Sequence, residues 1–228
     1  MSLAERYRSV SERVAAATRH SGRDASDVSM IVVTKHHPAS LVRELYELGH
    51  REFGENRDQE AGPKAREVAE LGCDGATWHF VGQLQSNKVK SALRYASFVH
   101  SIDRPSLVKE LGKQLAKTDR RISGFIELNL TDDPGRGGVD EEDLLALAED
   151  VLEADLPLLG VMAVASLNND PRTDFERAVK MSQKLQTLAP EASKLSMGMS
   201  DDFEIAIAMG ATHIRVGSAI TGPRPTTT

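Results

Sequence analysis

Met30-Ile31-Val32-Val33-Thr34-Lys35 is a short apolar run that closes on a cation, and the chain breaks directly after it at His36-His37-Pro38. Ile31-Val32-Val33 sets β-branched residues at consecutive positions, where a strand with one wet face would alternate. Continuous runs of this kind belong to parallel strands covered on both faces. Leu158-Leu159-Gly160-Val161-Met162 repeats the pattern late in the chain. Lys35 has two readings. Its long stem can carry the ammonium from the strand end out to solvent. Alternatively, burial depresses the amine's pKa, and a neutral amine can attack an aldehyde.

Outward from this run the same rhythm recurs. β-rich runs near 29–35, 51–55, 77–82, 97–103, 123–130, 157–165, 194–200 and 212–220 make eight. Helical patterns lie between them, near 39–48, 57–71, 86–94, 105–117, 140–154, 172–188 and 201–209, and an amphipathic helix over about 2–20 precedes them all. Pro38 and Pro105 sit where a first helical turn tolerates a missing donor, Asp140 can cap the helix after it, and Gly49 and Gly210 can end theirs. Eight strands alternating with helices in so short a chain predict a single α/β domain over residues 1–222, a compact (β/α)8 barrel of the TIM type. An open doubly wound sheet is the competing fold, weakened because no strand is followed by a Gly-x-Gly-x-x-Gly turn. The ending Thr221-Gly222-Pro223-Arg224-Pro225-Thr226-Thr227-Thr228 cannot make an eighth outer helix. The N-terminal helix is therefore expected to cover that gap, with 223–228 as a frayed tail.

Composition narrows the function classes. The chain has 228 residues, 40% hydrophobic and 27% charged, with a net charge of −6 and its 28 Lys and Arg scattered, so no nucleic-acid partner is expected. The single Cys73 cannot form an internal disulfide and has no ligand companions, which fits a reducing compartment. A polar start and the lack of any run of about 18 apolar residues predict a cytoplasmic protein with no membrane partner. No zinc spacing, EF-hand loop or P-loop is present, and no metal is expected.

In a barrel of this kind the residues that close each strand face the active site. Here they are polar: Lys35, then Gly54-Glu55-Asn56-Arg57, His79 with Gly82-Gln83, Ser101 and Asp103, Asn129, Ser200, and Arg215-Val216-Gly217-Ser218. The loops after strands seven and eight commonly hold a phosphate on backbone amides. Ser196-Met197-Gly198-Met199-Ser200 and Gly217-Ser218 could supply them, although Ser200-Asp201-Asp202 is also a good helix start with no ligand at all. An amine facing a phosphate grip suits pyridoxal 5′-phosphate, and it equally suits a phosphosugar aldolase.

Whole blocks of the chain are distinctive. Val33-Thr34-Lys35, Phe53-Gly54-Glu55-Asn56-Arg57, Trp78-His79-Phe80-Val81-Gly82-Gln83-Leu84-Gln85-Ser86-Asn87-Lys88, Val99-His100-Ser101-Ile102-Asp103, Gly160-Val161-Met162, Leu195 to Asp201, and Arg215-Val216-Gly217-Ser218 resemble the pyridoxal phosphate homeostasis proteins, in the same order, over about residues 2–222. That family is similar in fold to the barrel domain of bacterial alanine racemase. The resemblance implies that Lys35 carries the cofactor as an internal aldimine, that Ser200 and the backbone of Gly217 and Ser218 hold its phosphate, that Arg215 faces the pyridine nitrogen, and that Asn56 lies beside the ring. The chain departs from the family pattern at His36-His37, where Lys or Thr is frequent, and at Ala165, where proline is.

The resemblance implies a pyridoxal 5′-phosphate holder rather than an enzyme. An arginine at the ring nitrogen donates and stays charged, which weakens the cofactor as an electron sink and disfavours transamination and decarboxylation. Racemisation by two bases needs a second acid/base opposite the lysine. Tyr7, Tyr46 and Tyr95 all fall away from the strand ends, leaving His79, His37 and Cys73 as conceivable substitutes, and a strand histidine is more often a hydrogen-bonded core residue. A weak amino-acid racemase is the alternative. Acceptor enzymes are the expected partners of a holder, and a monomer is expected because no second domain is present to pair. Asp132 to Gly138 reads as a glycine-rich loop, the Glu141-Glu142-Asp143 run as a favourable first helical turn, and Lys88 or Lys90 as a possible second transfer site.

Overall fold

The computed structural model describes residues 1–131, 137–166 and 170–224. Its elements are α1 (Leu3–His20), β1 (Ser29–Val33), α2 (Ala39–Glu47), β2 (Glu52–Glu55), α3 (Asp58–Glu70), β3 (Thr77–Phe80), α4 (Val89–Ala92), β4 (Phe98–Ile102), α5 (Pro105–Leu115), β5 (Ser123–Glu127), α6 (Leu144–Glu153), β6 (Leu158–Met162), α7 (Pro171–Gln186), β7 (Lys194–Ser196), α8 (Phe203–Ala208), β8 (His213–Val216) and α9 (Ser218–Thr221). The strands pair in parallel and in chain order, and β8 closes on β1, with Ser29 opposite His213 and Ile31 opposite Arg215. The barrel read from the sequence is the observed fold.

The buried apolar side chains form one cluster that joins Val32, Phe53, Trp78 and Val99 of the strands with Val42, Leu45, Val68, Leu107 and Leu111 of the helices. Gly49 and Gly210 end α2 and α8 in left-handed conformations, φ 94° and 98°, which a side chain would strain. The strands stop sooner than the apolar runs do. β1 leaves the ladder at Val33, so Lys35 belongs to the turn that follows rather than to the strand itself.

Three local expectations are corrected. Asp140 does not cap a helix: its carbonyl accepts from the Asp143 N–H in a turn, and α6 starts only at Leu144, where Leu144, Leu147, Ala148 and Val151 can bury. The Glu141-Glu142-Asp143 run therefore precedes the helix instead of forming its first turn. Residues 218–221 are neither the end of strand eight nor frayed, because the chain turns at Gly217 into α9. Residues 132–136 of the glycine-rich loop and 225–228 of the tail lie outside the described residues. No helix of the described residues is long and apolar enough to cross a membrane.

α1 covers the gap left by the missing outer helix. Ser2 and Glu5 form a capping box at its start, Val10, Val14 and Thr18 are buried, and it packs on α8, α9 and α2. Arg6 ties it to the last turn, donating from Nε to the Ile220 carbonyl at 2.7 Å. Deleting residues 1–20 would expose the faces beneath these side chains. At about 25 cal/mol per Å² of apolar surface, the expected fall in Tm is roughly 10 °C or more, measured by thermal denaturation. An unchanged Tm would contradict this role for the helix.

Candidate functional site

A cavity of about 480 Å³ opens at the C-terminal ends of the strands. Lys35, Asn56, Ser200, Arg215, Gly217 and Ser218 all line it, brought together from the ends of β1, β2, β7 and β8. Val33, Val81, Val164 and Met199 give it apolar walls, and His36, His37, Asp201 and Arg224 add polar groups at its edge. Arg224 was assigned to the tail by sequence, and nothing in its residue type marked it as a lining residue.

Lys35 is half-buried, and its amine makes no hydrogen bond or ion pair to any described residue. The backbone on either side of it is held by α3. Lys64 Nζ donates to the Thr34 carbonyl at 2.8 Å, and the His36 N–H donates to Glu60 Oε2 at 3.2 Å. His36 sits at φ 66°, a left-handed conformation that costs a β-carbon about 1–2 kcal/mol and needs such support. Lys64 is itself paired with Glu55, which also accepts from Thr34 Oγ1 at 2.7 Å; the two charged side chains are 8% and 0% exposed. Burial pushes the Glu55 carboxyl upward, with the Lys64 charge opposing it. Sequence reading missed Lys64, although a signal was present. It falls on the apolar face of α3, in register with Ala61, Ala65 and Val68.

Across the cavity the turn Met197-Gly198-Met199 sets Ser200 against β8. Gly198 has φ 93°, and a β-carbon there would lie 2.6 Å from that of Ala206, so only glycine fits. Ser200 Oγ accepts from the N–H groups of Gly217 at 3.3 Å and Ala219 at 3.5 Å. Sequence reasoning named Gly217 and Ser218 and overlooked Ala219, whose contribution is a backbone atom without a residue signature. Of the two acids after Ser200, Asp202 accepts from the Met199 N–H and Asp201 lines the cavity.

Arg215 is 5% exposed. Its Nη1 donates to the Ser196 carbonyl at 2.8 Å and to Ser196 Oγ at 2.6 Å, and its Nη2 donates to the Ala163 carbonyl at 2.8 Å. Nε makes no hydrogen bond to a described residue. Burial pulls the guanidinium down to about 10, opposed in part by Glu127 and Asp202, so it remains charged at neutral pH. Asn56 contributes a side-chain carbonyl that is buried and without a partner among the described residues. Gly82 makes room for the Asn56 backbone: a β-carbon there would come within 2.3 Å of the Asn56 backbone carbonyl oxygen and 2.7 Å of its Cα and Cβ. Gly82→Ala is expected to displace Asn56, lowering stability by about 1–3 kcal/mol and reducing ligand affinity in the cavity, as read by chemical denaturation and a binding titration. Wild-type values for both would contradict the contact.

No tyrosine is among the described residues that line the cavity. Tyr7 bonds His50, Tyr46 accepts from the Gly75 N–H, and Tyr95 donates to Asp58. Of the substitutes named from sequence, His37 lines the cavity, with its pKa lowered by burial. Cys73 is buried elsewhere, and His79 is the hydrogen-bonded core residue it was read to be, bound to Glu52 and His100.

Residues 8–225 match the family model described as alanine racemase, N-terminal domain. The pyridoxal phosphate homeostasis protein of Escherichia coli is 36% identical over 226 residues, covering 97% of both chains. The structure of PipY from Synechococcus elongatus without PLP superposes with a TM-score of 0.84 at 35% identity, covering 97% of this chain and 100% of that one. The same protein with PLP bound gives 0.84 at 34% identity and the same coverage. By the barrel and by these likenesses together, the chain belongs to the pyridoxal phosphate homeostasis protein family, on the fold of the alanine racemase N-terminal domain.

Proposed function

We propose that this chain binds pyridoxal 5′-phosphate through Lys35 and serves its homeostasis in the cytoplasm as a monomeric holder that releases it to acceptor enzymes, with no turnover of its own. One observation carries the reading: the Lys35 amine, which has no partner among the described residues, shares a cavity with Arg215 and with Ser200, on whose Oγ the Gly217 and Ala219 amides converge. The residues fit the cofactor, because the buried Asn56 side-chain carbonyl lacks a partner among the described residues and the apolar walls suit a flat ring. PipY, a relative matched over its whole chain, is seen with PLP bound.

When bound, the cofactor supplies an aldehyde that a primary amine holds reversibly. Lys35 would provide that amine, with α3 fixing the backbone around it. Ser200, Gly217 and Ser218 would hold the phosphate, and Asn56 would lie beside the ring. Arg215 would face the ring nitrogen with donors and a fixed charge, where it has no carboxylate to hold a proton. A side chain so placed would weaken the group as an electron sink and disfavour transamination and decarboxylation. With no tyrosine on the cavity wall among the described residues, the opposite side of a substrate lacks the usual second base.

The test is incubation of cofactor-loaded protein with single enantiomers of amino acids. Binding without turnover is expected. Conversion at ordinary enzymatic rates, about 1–10³ s⁻¹, would make the chain a racemase or a related enzyme.

A further inference from the structure

Branched aliphatic layers usually fill the interior of an eight-stranded barrel. Here a hydrogen-bonded string runs through it. Glu52, the first residue of β2, meets His79 Nε2 through Oε2 at 2.6 Å; His79 Nδ1 meets His100 Nε2 at 2.9 Å; His100 Nδ1 meets Ser196 Oγ at 2.8 Å. Arg215 Nη1 donates to the same Ser196 oxygen. β4 and β7 are not neighbours in the barrel, so the His100–Ser196 bond crosses its lumen. Phe98 stacks on His79 at 4.5 Å and Phe125 on His100 at 4.4 Å, sealing the string from both sides.

The Arg215 end decides where every proton lies. A guanidinium only donates, so Ser196 accepts from it and donates its own proton to His100 Nδ1. His100 then carries its proton on Nε2 and donates to His79 Nδ1. His79 in turn carries a proton on Nε2 and donates to the Glu52 carboxylate. The reverse order would leave the Ser196 hydroxyl without an acceptor inside the barrel, where an unpaired polar group is costly. Five groups thus form a one-way line from a cation at the cavity to an anion at the opposite mouth, where the Glu52 side chain is 33% exposed.

We propose that Ser196, His100 and His79 are positioning residues that fix the Arg215 guanidinium at the cavity and couple it to Glu52, so that cofactor binding is felt at the far end of the barrel. The inference rests on the reading of Arg215 as the residue facing the ring nitrogen. Burial supports neutral rings: it lowers His79, lowers His100 well below the usual range, and holds the neighbouring His213 at about 4.

Nitrogen NMR of the two imidazoles tests the proposal in the full-length ligand-free protein, in wild type, Ser196→Ala and Glu52→Gln. Both rings are expected to be neutral at pH 7 with the proton on Nε2. A proton on Nδ1 of either ring, or a cationic ring, overturns the relay. Ser196→Ala should shift the His100 nitrogens and, one bond further on, those of His79. Glu52→Gln, made at the exposed end where folding is not at risk, should shift His79 and then His100. A response confined to the nearer ring overturns the coupling. Saturation with pyridoxal 5′-phosphate should then move both rings in wild type and leave His79 unmoved in Ser196→Ala. Cofactor bound by its visible absorption with silent histidines defeats the relay alone. Failure of wild type to bind the cofactor defeats the cavity reading instead, while the ligand-free spectra still decide the string.

Discussion

Lys35→Ala is expected to abolish the borohydride-reducible attachment of pyridoxal 5′-phosphate while leaving the barrel folded. The amine is the only group at that position able to form the link, so the loss should be complete rather than partial. The fold should tolerate the change because Lys35 is half-buried and bonded to no described residue, so its truncation falls among substitutions worth within about 0.5 kcal/mol. Ser200, Gly217 and Ala219 remain in place, so weak, non-covalent binding of the phosphate end is expected to survive. Mass spectrometry after reduction and a thermal melt check both halves. A variant that still carries a reduced pyridoxyl group would show that another lysine does the work.

Lys64→Met is expected to be the most destabilising single change near the site. It removes the partner of Glu55, which is wholly buried, and strands a carboxylate in the wall between β2 and α3. Breaking one side of a buried pair costs about 3–5 kcal/mol, which lowers Tm by roughly 10 °C in a chain of this size. The sign of the pH dependence follows from Glu55. Its folded pKa is already raised by burial, and losing Lys64 removes the opposing pull and raises it further. Between the unfolded and folded values the native state binds more protons, so its stability grows as pH falls through that window. The deficit of Lys64→Met relative to wild type should therefore shrink on going from pH 8 toward pH 5 in thermal melts. A deficit that widened toward acid would contradict the buried pair. The same variant frees the Thr34 carbonyl from Lys64, and slower capture of the cofactor by Lys35 is expected alongside.

The fold was legible because parallel strands covered on both faces write themselves as unbroken apolar runs, and eight such runs leave few alternatives. Lys35, Asn56 and Ser200 were legible as cavity residues because each is a polar residue just beyond an apolar run, where the architecture places its site, and Arg215 because it is a charge set inside the last strand. What escaped is of a different kind. Ala219 and Ala163 act through backbone N–H and C=O groups, which every residue possesses. Asp140 and the acids after it looked like a helix start, yet α6 begins where its apolar stripe can bury, since packing outweighs a cap worth about 1 kcal/mol. Ser196, His100 and Glu52 lie far apart in sequence, and only closure of the barrel makes them one string. Lys64 was hidden by its charge, though its place on an apolar helical face was open to view.

The most direct test of Lys35 as the cofactor's anchor is borohydride reduction of the wild-type protein loaded with pyridoxal 5′-phosphate, followed by peptide mapping. The predicted result is one pyridoxyl adduct, on Lys35. An adduct absent from Lys35, or found on Lys88 or Lys90 in its place, would contradict it.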